Sequence, residues 1–112
     1  MRRAATVSAG VGVRPGAMPT PYARLVLDAV DLVPAGRAAT YGDIAEWMGR
    51  GTGRTVGTVL SRHGREVAWW RIVQASGRPA EPHVADALAR LAAEGCPLLG
   101  ERVDLARARW RG

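Results

Sequence analysis

At 112 residues, 47% of them apolar, the chain carries enough hydrophobic side chain for one small core and is not disordered by composition. Its one cysteine, Cys96, excludes an intrachain disulfide framework and a cysteine-built zinc site, and no apolar run approaches the roughly 20 residues of a membrane-spanning helix. The formal charge of +6 rests on sixteen arginines with no lysine, and it is concentrated: from Arg50 to Arg71 five arginines (50, 54, 62, 65, 71) stand against one acid, Glu66. Such a stripe is the electrostatic footprint of a phosphate-binding surface, although the solvated face of an arginine-rich protein has the same composition.

The opening stretch MRRAATVSAGVGVRPGA has two arginines and a weak apolar segment broken by glycines, which makes a poor signal peptide. Residues 1–18 are expected to form a flexible basic tail, residues 19–112 the folded domain, and the cytoplasm is the expected location. In TPYARLVLDAV, Thr20 is a natural N-cap and Pro21 suits the first helical position. Tyr22, Leu25, Val26, Ala29, Val30 and Val33 then fall on one helical face, and Pro34 and Gly36 stop the helix.

In TYGDIAEWMG, Thr40 and Asp43 have capping-box spacing, Tyr41, Ile44, Ala45 and Met48 form an apolar stripe, and Gly49 ends the segment. GTGRTVGTVLSRHG offers Thr52 as the cap of a third helix, with Val56, Val59 and Leu60 inward and Arg54, Thr55 and Arg62 outward. Two short helices joined by a glycine-bearing turn, the second with arginine near its start, predict a helix-turn-helix.

WWRIVQASGRP predicts a strand, a tight turn at Ser76-Gly77 and a return, that is, a hairpin or wing. EPHVADALARLAAEG predicts a last helix with Val84, Leu88 and Leu91 inward and Gly95 closing it. The final RVDLARARWRG supports no more than a strand or turn at Val103 to Leu105. The expected fold is mostly α: a winged helix-turn-helix DNA-binding domain with a short β hairpin as its wing.

From Met18 to Gly95 the ordered motifs TPYARLVLDAV, TYGDIA, GRTVGTVL, WWRIV and LAAEG resemble the DNA-binding domain of the alkylguanine-DNA alkyltransferases, the methylated-DNA-protein-cysteine methyltransferase family. Those repair proteins have a Pro-Cys-His-Arg-Val motif whose cysteine takes an alkyl group from the exocyclic oxygen of a damaged guanine. Here the corresponding run is Ala68-Trp69-Trp70-Arg71-Ile72, so both the nucleophile and its activating histidine are tryptophan. Alkyl transfer needs a thiolate, usually prepared by an adjacent base, and an indole cannot substitute at neutral pH. Cys96, between a helix-closing glycine and Pro97, has the character of a small packed hydrophobe rather than a replacement nucleophile. Tryptophan in the cysteine position is the mark of the alkyltransferase-like proteins. The resemblance therefore implies a protein with no catalytic residue, no cofactor and no metal. Its implied partner is duplex DNA containing alkylated guanine, bound through the minor groove with the damaged base flipped into a pocket and flagged for nucleotide excision repair proteins. A monomer without membrane association is expected.

The same resemblance assigns roles. Arg54, in GRTVG, matches the arginine finger that fills the gap left by a flipped nucleotide. Tyr41 matches the tyrosine that crowds the target's phosphate, although it also lies on an apolar stripe. Thr55 and Arg62, on the outer helix surface, and His63, a hinge or phosphate contact, complete the expected DNA-binding set. The expected base pocket comprises Trp69, Trp70, Arg71, Val73 and Arg78. Alternation along a strand means that only one of the two tryptophans need face that pocket. Arg71 matches a residue that ties backbone carbonyls, Glu94 an acid that with its histidine gone only caps or pairs, and Arg78 is placed for a cation–π contact with the base. The pocket-closing loop is cut to SGRPAEP, which implies a roomier pocket, and the asparagine hinge of the family is replaced around Arg62-His63-Gly64. The alternative is a winged-helix transcription regulator reading sequence in the major groove, but the outer helix surface offers no asparagine or glutamine for adenine.

Overall fold

The computed structural model describes residues 18–112. The expected tail, residues 1–18, lies outside the described residues apart from Met18. Helix α1 (Pro21–Asp31) starts where the Thr20 hydroxyl accepts the Ala23 N–H at 3.1 Å, with proline in the first turn. Its buried face runs through Ala23, Val26, Leu27 and Val30, whereas Leu25, expected inward, is 41% exposed. Both α2 (Tyr41–Met48) and α3 (Gly53–His63) pack on α1, so its buried arc takes in Val26, Leu27, Ala29 and Val30, with Tyr22 partly buried at the edge.

The helix-turn-helix is built from local signals. Thr40 and Asp43 close a reciprocal capping box on α2, and Gly49 ends it in the left-handed region at φ 69°. Thr52 and Thr55 form a second capping box on α3. Between them Gly51 has φ 76°, and a Cβ there would lie 1.9 Å from the Tyr22 hydroxyl oxygen, so a side chain at this turn would be strained in its backbone and would displace the Tyr22 and Thr55 hydroxyls. Val26, Leu27, Val30, Ile44 and Val56 fill the core that the three helices enclose.

The wing is not where the sequence predicts it. Trp69–Arg71 forms one 3-10 turn, not a strand. Only Ile72–Val73 (β2) is extended, and it pairs in parallel with Ala39–Thr40 (β1), Ala39 opposite Ile72 and Thr40 opposite Val73. The turn at Ser76-Gly77 does form, with Gly77 at φ 90° donating to Gln74 O at 2.8 Å. No strand returns from it, and Pro79 has no N–H to give to a ladder. The antiparallel hairpin lies instead in the last segment, Leu98–Leu99 (β3) with Arg102–Val103 (β4) around Gly100.

Helix α4 (Val84–Ala93) precedes that hairpin and buries Val84, Ala87 and Leu91, with Leu88 half-buried at the edge. After the hairpin comes α5 (Leu105–Ala108), and an Ala38–Arg109 bridge ties the chain end beside β1. A second core forms here from Ala38, Val73, Leu91, Cys96, Val103 and Ala108. No helix among the described residues is long and apolar enough to cross a membrane.

Candidate nucleic-acid interface

A cavity of about 640 Å³ opens between the C-terminal half of α3, the Trp69 indole, the 79–82 loop and one side of α4. Tyr41, Arg62, Arg65, Trp69, His83 and Arg90 are among its lining residues. Tyr41 also borders a second, shallower cavity of about 470 Å³, shared with Gly42, Gly53, Gly57 and Gln74. Burial raises the Tyr41 phenol above its ordinary value, so the ring enters this wall as a neutral hydroxyl.

The two tryptophans diverge. Their rings stand edge to face, 87° apart with centroids at 5.9 Å. Trp69 lines the larger cavity and Trp70 does not. A 3-10 turn rotates successive side chains by about a third of a circle instead of the half-circle of a strand, so the pair shares an edge while facing different neighbours. Trp70 packs on the second core and donates its indole N–H to Glu94 Oε2 at 3.0 Å. Arg71 grips the same carboxylate through Nε and Nη2 and donates Nη1 to Val33 O at 2.9 Å. The Arg71 hydrogen bonds hold Glu94 below its ordinary value against the opposing pull of burial, with Trp70 and the Gly36 N–H assisting.

Four residues expected in the base pocket are absent from the lining of either cavity. Trp70 braces the second core, Arg71 is consumed by Glu94 and Val33, and Val73 is fully buried in the β1–β2 pair. Arg78 lines neither cavity and pairs with Glu81 at 2.9 Å and Glu101 at 2.8 Å. Two cations lie over the indoles: Arg90, its guanidinium carbon 4.8 Å from the Trp70 centroid and 5.8 Å from that of Trp69, and Arg71, 5.5 Å from the Trp70 centroid. Asp86 holds Arg90 at 3.0 Å, and the His83 ring lies 5.7 Å from Trp69. His83, Asp86, Arg90 and Glu94 are spaced along one side of α4, a polar stripe visible in the sequence; what it faces is not.

The arginines divide by partner. Arg24, Arg71, Arg78, Arg90, Arg109 and Arg111 make ion pairs. Among the described residues Arg50, Arg54, Arg62 and Arg65 make none within 4.0 Å, and all four are exposed on or beside α3. Arg54 sits in the first turn of α3 and Arg62 reaches the cavity rim from its last turn. Thr55, expected to touch DNA, uses its hydroxyl within the fold: it donates to Thr52 O at 3.0 Å and lies 2.7 Å from the Tyr22 hydroxyl. His63 is half-buried at the end of α3 and outside the cavity. Cys96 is 5% exposed in the second core, where burial and then the Glu94 charge raise its thiol above the ordinary value.

A short helix pair with a basic second helix, beside a cavity lined by Tyr41, Trp69 and arginines, defines a helix-turn-helix domain of the DNA-binding type. The family described as 6-O-methylguanine DNA methyltransferase, DNA binding domain, matches residues 21–96, and the chain belongs to that family. Two structures from S. pombe share its fold. Atl1 in complex with damaged DNA containing O6-carboxymethylguanine is 24% identical with a TM-score of 0.70, over 81% of this chain and 95% of Atl1. S. pombe ATL in complex with DNA is 24% identical with a TM-score of 0.69, over 81% of this chain and 95% of the other. A variant of the M. tuberculosis O6-methylguanine methyltransferase is 26% identical with a TM-score of 0.61, over 73% of this chain and 54% of that enzyme. No curated protein matches the chain by sequence.

Proposed function

We propose that this protein is a non-enzymatic sensor of alkylated DNA: it binds duplex DNA through the minor groove, extrudes an alkylated guanine into the cavity and marks the site for nucleotide excision repair. The observation that carries the reading is Trp69, an indole on the cavity wall, at the position that the sequence resemblance matches to the family's reactive cysteine. An indole offers an apolar stacking face and no alkyl acceptor, so the cavity can hold a base without reacting with it. The buried, protonated Cys96 supports the same conclusion.

The energetics are consistent. Extruding a base costs a few kcal/mol, least where alkylation has already weakened the pair. Arg54, exposed and without an ion pair in the first turn of α3, is suited to fill the vacated stack from the groove. Stacking on Trp69 returns about 1–3 kcal/mol, and Arg90, which also lines the cavity, is placed to add about 0.5–2 kcal/mol through a cation–π contact with the extruded base itself. Arg50, Arg62 and Arg65 supply phosphate contacts that carry no sequence information. Atl1, which has this fold, binds DNA containing O6-carboxymethylguanine, and that supports the assignment of ligand class.

The deciding experiment is the affinity for two matched duplexes, one with a single O6-alkylguanine, measured at one stated salt concentration. Tighter binding of the alkylated duplex is expected. Equal affinity for the two, with preference among unmodified sequences, would make the protein a sequence-reading regulator instead.

A further inference from the structure

The family match ends at residue 96, yet the chain end reaches back to the first turn of α2, which carries Tyr41. Arg109 clamps Asp43 in a two-point fork, Nε to Oδ2 and Nη2 to Oδ1, both at 2.8 Å. Arg111 approaches the same carboxylate at 3.7 Å. A capping-box acid ordinarily stands in water, but the Asp43 side chain is 5% exposed. Its Oδ2 also accepts the Thr40 N–H at 3.1 Å, and its own N–H donates to Thr40 Oγ1 at 3.0 Å. Two residues before it, in the first turn of the same helix, stands Tyr41, which lines both cavities.

A second tie runs parallel to the first. Ala38 N–H donates to Ala108 O at 3.0 Å and Trp110 N–H donates to Ala38 O at 2.7 Å, which lays the chain end beside β1. Strand β1 in turn registers with β2, directly after the Trp69–Arg71 turn. The segment that carries Tyr41 on one side and meets the Trp69 turn on the other is thus held from outside by the last residues of the chain.

We propose that Arg109 is a positioning residue for the damage site, acting through Asp43 to fix the start of α2 and hence the Tyr41 ring against the cavity. The functional part of this inference rests on the damage-sensor reading; the structural part does not. A guanidinium fork constrains both oxygens of the carboxylate, which a lysine point charge cannot do. Loss of the fork leaves a buried carboxylate with one backbone N–H and a distant Arg111, so the first turn of α2 must shift toward water or loosen.

The chain has two tyrosines, so uniform fluorotyrosine labelling yields two fluorine resonances, one for Tyr22 and one for Tyr41. In Arg109→Ala, without DNA, the Tyr41 resonance is expected to shift or broaden while that of Tyr22, anchored on Thr55, stays in place. Arg109→Lys should give a smaller displacement with the fold intact, and it decides the matter if the alanine variant does not fold. Preference for alkylated over unmodified duplex should fall about tenfold in the alanine variant, the scale of one lost charge-assisted hydrogen bond, with partial recovery in the lysine variant. Combining Arg109→Ala with Asp43→Asn should add little further loss, because the two act as one unit. An unmoved Tyr41 resonance in a folded variant, or equal movement of both resonances, would overturn the proposal. A parent protein with no preference for alkylated DNA would instead defeat the sensor reading, while the fluorine result would still decide whether Arg109 positions Tyr41.

Discussion

The Trp70 indole N–H donates to Glu94 Oε2 at 3.0 Å, and this bond turns one of two adjacent tryptophans away from the cavity. Glu94 also takes the Arg71 guanidinium at 2.7 Å, so a single carboxylate just after α4 sets the posture of the whole Trp69–Arg71 turn. Trp69 is left as the indole that meets the cavity.

Glu94→Gln should lower stability by about 1–3 kcal/mol, because Arg71 loses a charged acceptor in a site that is 16–17% exposed. In the folded protein Glu94 is held below its ordinary value, chiefly by the Arg71 hydrogen bonds. Its contribution is therefore complete above the unfolded value of about 4.3 and is lost as pH falls through the folded one. Thermal melts from pH 7 downward should show a shallower acid-side decline in the variant than in the parent. Identical slopes would remove Glu94 from the acid transition.

Incubation with duplex DNA carrying a radiolabelled methyl group on guanine O6 should leave the protein unlabelled. Trp69→Cys alone should stay inactive, since Trp70 supplies no base to form the thiolate. Label on Cys96 would show that the buried thiol opens to substrate and would end the non-enzymatic reading.

Arg62→Ala and Arg65→Ala should weaken binding to alkylated and plain duplexes alike. Removing one arginine–phosphate pairing should flatten the slope of log K against log salt by about 0.9. Both side chains also border the cavity, so a loss confined to alkylated DNA would reassign them to the pocket.

Damage discrimination should depend on Arg54, Trp69 and Arg90. Arg54→Ala should abolish most base extrusion, read with a fluorescent base analogue at or opposite the target, and leave the fold intact because Arg54 is exposed. Trp69→Ala should cost roughly 10- to 100-fold in damage-specific affinity by the stacking scale, with plain duplex binding little changed. Arg90→Leu should cost about threefold to tenfold, the range of one partly desolvated cation–π interaction. Parent-like affinity of Trp69→Ala for alkylated DNA would make Trp69 a packing residue and defeat the central assignment.

The helix starts and stops were legible because they are local. Thr20, Thr40 and Thr52 cap helices through hydrogen bonds three residues away, and Gly49 and Gly51 meet backbone angles that bulkier residues resist. The replacement of a thiol by an indole at position 69 is equally a property of one residue, and it carries chemistry before any fold is known. Tertiary structure alone decided which tryptophan meets the cavity, since a 3-10 turn and a strand both fit WWRIV and differ in side-chain rotation. It also decided that Arg90 and not Arg78 covers the indoles. Both arginines pair with nearby acids, and only the packing of α4 against the Trp69–Arg71 turn separates them. The β1–β2 pairing and the Arg109–Asp43 fork, which joins residues 66 apart, have no local pattern to announce them. Pairings of that range exist only once two cores have formed and brought the chain end beside β1.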